Sequence, residues 1–154
     1  PSEPAKSPAD MRSVIEGSLD MVEKSIRDKD IQVVKRYPED LPPIGIDASM
    51  MNQALINIFQ NACDAMEKGG TLTITLQGSA ESLTLEIEDT GCGIDPEDLT
   101  HLFNPFFTRK SYGTGLGLTQ VKKIVDQHAG EIEVFSKKGE GTRFVIVLPR
   151  GAVS

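Results

Sequence analysis

Two pairs of short alternating runs constrain this chain more than any other feature. Thr71 to Gln77 and Ser82 to Asp89 alternate apolar with polar residues around the turn Gly78-Ser79-Ala80-Glu81. Glu131 to Phe135 and Thr142 to Leu148 repeat the arrangement around Lys138-Gly139-Glu140-Gly141. A period of two sends every second side chain to one face, and a short glycine-bearing turn joins neighbouring strands antiparallel. Each hairpin therefore owns an apolar face that something else must cover.

The covering elements are legible as helices. Met11, Val14, Ile15, Leu19, Val22 and Ile26 fall at helical spacing, and Ser7-Pro8-Ala9-Asp10 ahead of them reads as the helix start, with Ser7 as cap and Pro8 in the first turn. Asp47 to Lys68 is the strongest helix, closed by Gly69-Gly70. Gly115 to His128 carries Leu118, Val121, Ile124, Val125 and His128 on one face. Ile31 to Tyr37 reads as a strand, Ile44 to Ile46 admits a short one, and a short helix follows Pro96. The order implies an α/β (α+β) two-layer sandwich: a mixed, mostly antiparallel sheet covered on one face by helices. Residues 1–9 read as a linker or tail and 10–150 as one domain, a size able to bury a real core.

Charge and composition narrow the partners. A net charge of -7 supplies no basic stripe for nucleic acid. No apolar run approaches the roughly 20 residues of a membrane span, and no signal-peptide pattern is present. The expectation is a cytoplasmic domain without membrane contact. Pro1 reads as the edge of a fragment, which leaves room for a membrane-anchored parent. Cys63 and Cys92 lack metal-ligand spacing and read as reduced thiols.

Four polar constellations stand out. On the helix from Asp47, the side opposite Met51, Leu55, Ile58, Phe59, Ala62 and Met66 presents Gln53, Asn57, Asn61 and Asp64. A solvated face is the plain reading. Asparagine, however, is a poor helix former, and two amide oxygens one turn apart suit a hard cation such as magnesium. Asp89-Thr90-Gly91-Cys92-Gly93 follows a strand directly: either an Asx-capped glycine turn, or a carboxylate placed to accept from the exocyclic amine of adenine where the backbone comes close. Gly113-Thr114-Gly115-Leu116-Gly117-Leu118 opens a helix, where bare backbone amides and the helix dipole favour phosphate; it matches neither the Walker loop nor the dinucleotide fingerprint. Phe103-Asn104-Pro105-Phe106-Phe107-Thr108, then Arg109 and Lys110, reads as core or as the hinge of a lid that carries cations. The segment from Asn104 to Gly113 reads as a loop.

In this order, these blocks resemble those of the GHKL ATPases, the group that contains gyrase, MutL and the histidine kinases. Asn57-Ile58-Phe59-Gln60-Asn61-Ala62 is similar to the asparagine box, Asp89 to Gly93 to the first glycine box, Phe103 to Phe107 to the phenylalanine box, and Gly113 to Leu118 to the second glycine box. Gly139-Glu140-Gly141-Thr142 is similar to the closing element that sets a threonine near adenine. The resemblance implies the Bergerat ATP-binding fold, with a left-handed βαβ element and ATP and Mg²⁺ as ligands. It implies Asn61 on magnesium and Asn57 supporting the phosphates and the metal shell. Asp89 would take the adenine amine, with Gly91, Gly93 and Ile94 close by and Thr142 helping through water. Lys110 and the loop Gly113, Thr114, Gly115, Leu116, Gly117 and Leu118 would meet the phosphates.

The fast ATPases of the group have Glu where this chain has Asn57. An amide cannot take a proton from water, and a neutral imidazole needs no base to attack phosphorus. Asn57 and Lys110 are therefore the expected catalytic pair for transfer to histidine. The alternatives are a gyrase- or MutL-type ATPase and a nucleotide-gated interaction module without transfer activity. Asp64 and Ala65 depart from the lysine and aromatic of many histidine kinases, which shifts phosphate contact onto Lys110. Neither His101, before Leu102, nor His128, before Ala129, has the acidic neighbour of a phosphoacceptor. The acceptor is expected on a helical hairpin of the same protein, dimeric in the full-length kinase, with a response regulator as an indirect partner.

Overall fold

A computed structural model of the chain describes residues 3–103 and 115–150, with the backbone alone for 115–117. Its strands are β1 (Ser7–Ala9), β2 (Ile31–Arg36), β3 (Ile44–Ile46), β4 (Gly70–Gly78), β5 (Ser82–Asp89), β6 (Glu131–Lys137) and β7 (Gly141–Pro149). The helices are α1 (Met11–Met21), α2 (Glu23–Asp28), α3 (Ala48–Ala65), α4 (Pro96–Leu99) and α5 (Gly115–Gln127).

Five strands form one sheet in the order β2-β4-β5-β7-β6, in which β2 runs parallel to β4 and every other pair is antiparallel. The alternation seen in the sequence becomes a row code across the sheet. Ile74, Ile87, Phe144 and Val134 are register partners in one row, and Leu76, Leu85, Ile146 and Ile132 in the next. These rows face α3, whose Met51, Leu55, Ile58 and Phe59 are wholly buried. Each such side chain contributes about 1.5–3 kcal/mol by leaving water. α3 lies between α1 and α5, and all three cover the same face of the sheet.

Helix starts follow the capping rule. Asp47 accepts from the Met50 amide at 3.1 Å and fixes the start of α3. α3 ends at Ala65, three residues before the expected Lys68, and Gly69 with φ +94 turns the chain away. The first helix departs more from expectation. Ser7 is no cap: residues 7–9 form β1, antiparallel to β3, and Asp10 caps α1 through the Arg12 amide at 3.0 Å. Pro8 sits in an edge strand, where its missing N–H costs no ladder bond. Strand β1 thus lies inside the stretch read as linker, and the apolar series breaks at Val22 into α1 and α2.

His128 is structural, as its surroundings suggest. It is 3% exposed, and its Nε2 accepts from the Asp47 amide at 3.0 Å while Nδ1 lies 2.8 Å from the Ile124 carbonyl. The ring joins the end of α5 to the start of α3. Both cysteines are free thiols, and burial pushes Cys63 up to about 11. No described helix is long and apolar enough to cross a membrane.

Candidate functional site

The site lies where the end of the sheet meets the C-terminal half of α3. Asn61, Ala62, Ala65, Asp89, Gly93, Ile94, Leu118, Thr142 and Phe144 line a narrow cleft there. The contributions come from α3, the end of β5 and the turn after it, the first part of α5, and β7. Aliphatic walls with a few convergent polar groups are the usual make-up of a small-molecule site.

Asp89 is a strongly perturbed carboxylate. It is 5% exposed, and burial raises its pKa from 3.8 to about 6, against the pull of the Gly91 and Thr142 amides. One oxygen accepts the Gly91 N–H at 2.8 Å. Asp89 thus caps its own glycine turn and also lines the cleft. The buried carboxylate shares the cleft with Ile94, Leu118 and Phe144.

The glycines of the turn have a structural cause as well. A Cβ on Gly91 would meet the Ala65 carbonyl oxygen at 2.5 Å, and the next amide, Cys92 N–H, donates to that oxygen at 3.0 Å. A Cβ on Gly93, where φ is +73, would meet the Lys137 oxygen at 2.2 Å. The turn is wedged between the end of α3 and the β6–β7 hairpin, and only bare backbone fits. Gly91 and Gly93 build the cleft by admitting protein backbone.

Asn61 lines the cleft, and Asn57 lies half-buried one turn earlier on the same helix face. Among the described residues no group of three or more His, Cys, Asp or Glu could hold a metal. A magnesium ion beside Asn61 would take its remaining shell from water and phosphate, as its hydration chemistry favours. Asp64 receives the Gln60 amide at 2.9 Å and lies 3.5 Å from Lys29 Nζ. Lys29 also reaches the Cys63 carbonyl at 3.3 Å. A cation from the end of α2 thus offsets the acid that α3 carries, a relation between residues 35 positions apart that no local pattern shows.

Ile94 and Thr142 are joined by a residue the sequence reading passed over. The Ile94 amide donates to Ser136 Oγ at 2.8 Å, and the same oxygen lies 2.8 Å from Thr142 Oγ1 and 2.9 Å from the Gly141 carbonyl. A signal was present: Ser136 has the parity of Ile132 and Val134 on β6, a lone hydroxyl in an apolar series. Gly115, Leu116 and Gly117 form the first turn of α5, and Leu118 is buried against the cleft. Lys110, Gly113 and Thr114, with the stretch from Asn104, lie outside the described residues.

Residues 46–152 match the family model described as histidine kinase-, DNA gyrase B- and HSP90-like ATPase. The sensor histidine kinase ZraS of Escherichia coli K12 is 35% identical over 149 residues, which cover 97% of this chain and 32% of ZraS. The chain therefore spans about a third of that relative's length. The catalytic domain of the histidine kinase ThkA superposes with a TM-score of 0.83 at 28% identity, over 94% of this chain and 95% of that one. Full-length ShkA in complex with AMPPNP shares the fold at a TM-score of 0.85 and 24% identity, over 96% of this chain and 32% of ShkA. The chain belongs to the family of histidine kinase-, DNA gyrase B- and HSP90-like ATPases, as an ATP-binding catalytic domain of the histidine kinase type.

Proposed function

We propose that this domain holds Mg-ATP for transfer of its γ-phosphate to a histidine on a helical hairpin elsewhere in the same protein, which is dimeric when full-length. The observation that carries the nucleotide assignment is Asp89, a buried carboxylate with acceptor capacity toward an aliphatic cleft. Its oxygens take the adenine amine; Ile94, Leu118 and Phe144 flank the ring; Thr142 completes the edge. Asn61 supplies an amide oxygen to magnesium, which draws charge from the phosphates when bound. Asn57 orients that shell, while Lys110 and the amides from Gly113 to Gly117 meet the phosphates.

Asn57 also decides the acceptor. A carboxamide has no basicity to spend on water, so the bound nucleotide is protected from hydrolysis, while a neutral imidazole attacks without help. Neither His101 nor His128 serves: His128 already uses both ring nitrogens within the fold. A response regulator then takes the phosphoryl group from the hairpin. Labelled ATP supplied to the full polypeptide should yield an acid-labile, base-stable phosphohistidine. ATP and magnesium binding without that product would leave only a nucleotide-gated module, and fast steady-state hydrolysis would restore the gyrase-like alternative.

The metal assignment has its own test. Asn61→Ala is expected to flatten the dependence of ATP binding on magnesium, measured by calorimetric titration with the metal present and chelated. A dependence as steep as in the parent removes Asn61 from the metal's shell.

A further inference from the structure

Ser136, Thr142 and Asp89 occupy one register row across β6, β7 and β5. The next row inward is Val134, Phe144 and Ile87, so the polar row sits as a rim above the apolar floor of the cleft. Thr142 is 6% exposed, and its hydroxyl has a defined neighbour in Ser136.

Proton counting fixes the direction of that hydrogen bond. Ser136 has one proton and two acceptor positions. The Ile94 amide can only donate and takes one acceptor position; the Gly141 carbonyl can only accept and takes the proton. The position that remains on Ser136 is an acceptor, so the arrangement that satisfies every group has Thr142 donating to Ser136. The lone pairs of Thr142 are then what the cleft meets.

We infer that Ser136 is a positioning residue that sets base specificity by locking the Thr142 hydroxyl as an acceptor. With Asp89 beside it, the rim offers acceptors alone. At the six position itself an exocyclic amine brings donors to such an edge, whereas a carbonyl brings lone pairs against lone pairs and leaves only the neighbouring N1–H as a donor. The rim therefore selects 6-amino over 6-oxo purines. A buried polar edge left without its complement is a strong basis for discrimination. Without Ser136 the Thr142 proton is free to rotate into the cleft and serve a carbonyl. The inference rests on the assignment of ATP to this cleft.

The experiment compares ATP with inosine triphosphate on the folded chain by calorimetry. The parent should prefer ATP. In Ser136→Ala the preference should narrow by roughly five- to tenfold, the worth of one neutral hydrogen bond, and Ser136→Thr, which keeps the hydroxyl, should restore it. In a Thr142→Val background Ser136→Ala should leave the remaining preference unchanged, because its effect runs through the Thr142 proton. Should Ser136→Ala not fold, the isosteric Ser136→Cys, with its weaker acceptor and donor, is expected to narrow the preference part of the way. A parent that binds neither nucleotide, or both alike, overturns the assignment of ATP to the cleft. A parent that prefers ATP together with Ser136 variants of unchanged preference overturns the role of Ser136 alone.

Discussion

Asp89→Asn is expected to weaken ATP by roughly ten- to hundredfold, the range for one charge-assisted hydrogen bond. It should barely alter the binding of purine riboside triphosphate, which lacks the amine. The substituted amide can still accept from Gly91, so the turn survives, but it brings a donor to the cleft opposite the adenine donor. Inosine triphosphate, with an oxygen at that place, should gain. Equal losses for ATP and purine riboside triphosphate would falsify the adenine role.

The same residue sets a pH dependence whose sign is fixed. Asp89 is an acid whose pKa rises from 3.8 to about 6 on folding. The folded state therefore binds more protons between those values, and stability falls as pH rises through that window. Above about pH 6 the folded chain bears the full cost of an ionised buried carboxylate, about 3 kcal/mol at most; below pH 3.8 it bears none. Asp89→Asn should accordingly raise the melting temperature at pH 8, with the gain fading as the pH approaches 4. ATP binding moves the opposite way, because the amine favours the carboxylate. Preference for ATP over purine riboside triphosphate should drop by about tenfold between pH 8 and pH 5. A stability gain that ignores pH would separate the effect from this carboxyl group.

Much of the architecture was legible because it rests on periodicity. The two hairpins, α3 and α5 each bury one face, and burial writes its period into the sequence. β1 was not legible: three residues are too few to show alternation, and Ser7-Pro8 carries the chemistry of a helix start equally well. Within the cleft lining, Asp89 and Asn61 stood out by side-chain chemistry unusual for their places, and Thr142 by resemblance alone. Their supports did not. The Lys29–Asp64 pair and the Ser136 bridge join positions far apart in the chain, and their meaning lies in the register between elements. The glycines were legible as a motif, but not their packing role: Gly91 and Gly93 meet Ala65 and Lys137, the protein's own backbone.

That cause leads to the second large effect. Gly93→Ala should cost about 3 kcal/mol or more, because left-handed backbone carries a penalty of roughly 1–2 kcal/mol for an L-residue and the new methyl meets a carbonyl that cannot turn aside. At this size of protein that is a fall in melting temperature of roughly 6–12 °C. Gly139→Ala is the internal comparison. Its φ is +87, similar to that of Gly93, yet a Cβ there meets nothing within 4 Å, so only the backbone penalty of a few degrees should appear. The two glycines also face each other across the same junction: the Gly139 amide donates to the Cys92 carbonyl beside Gly93. Pushing Gly93 off Lys137 therefore strains this bond and the one from Ile94 to Ser136 together. ATP affinity should fall in Gly93→Ala through loss of the rim at Thr142, and inosine triphosphate should lose less than ATP. If Gly93→Ala proves as stable as Gly139→Ala while ATP affinity still collapses, Gly93 acts by touching the nucleotide, and the wedge between α3 and the hairpin is not what demands a glycine there.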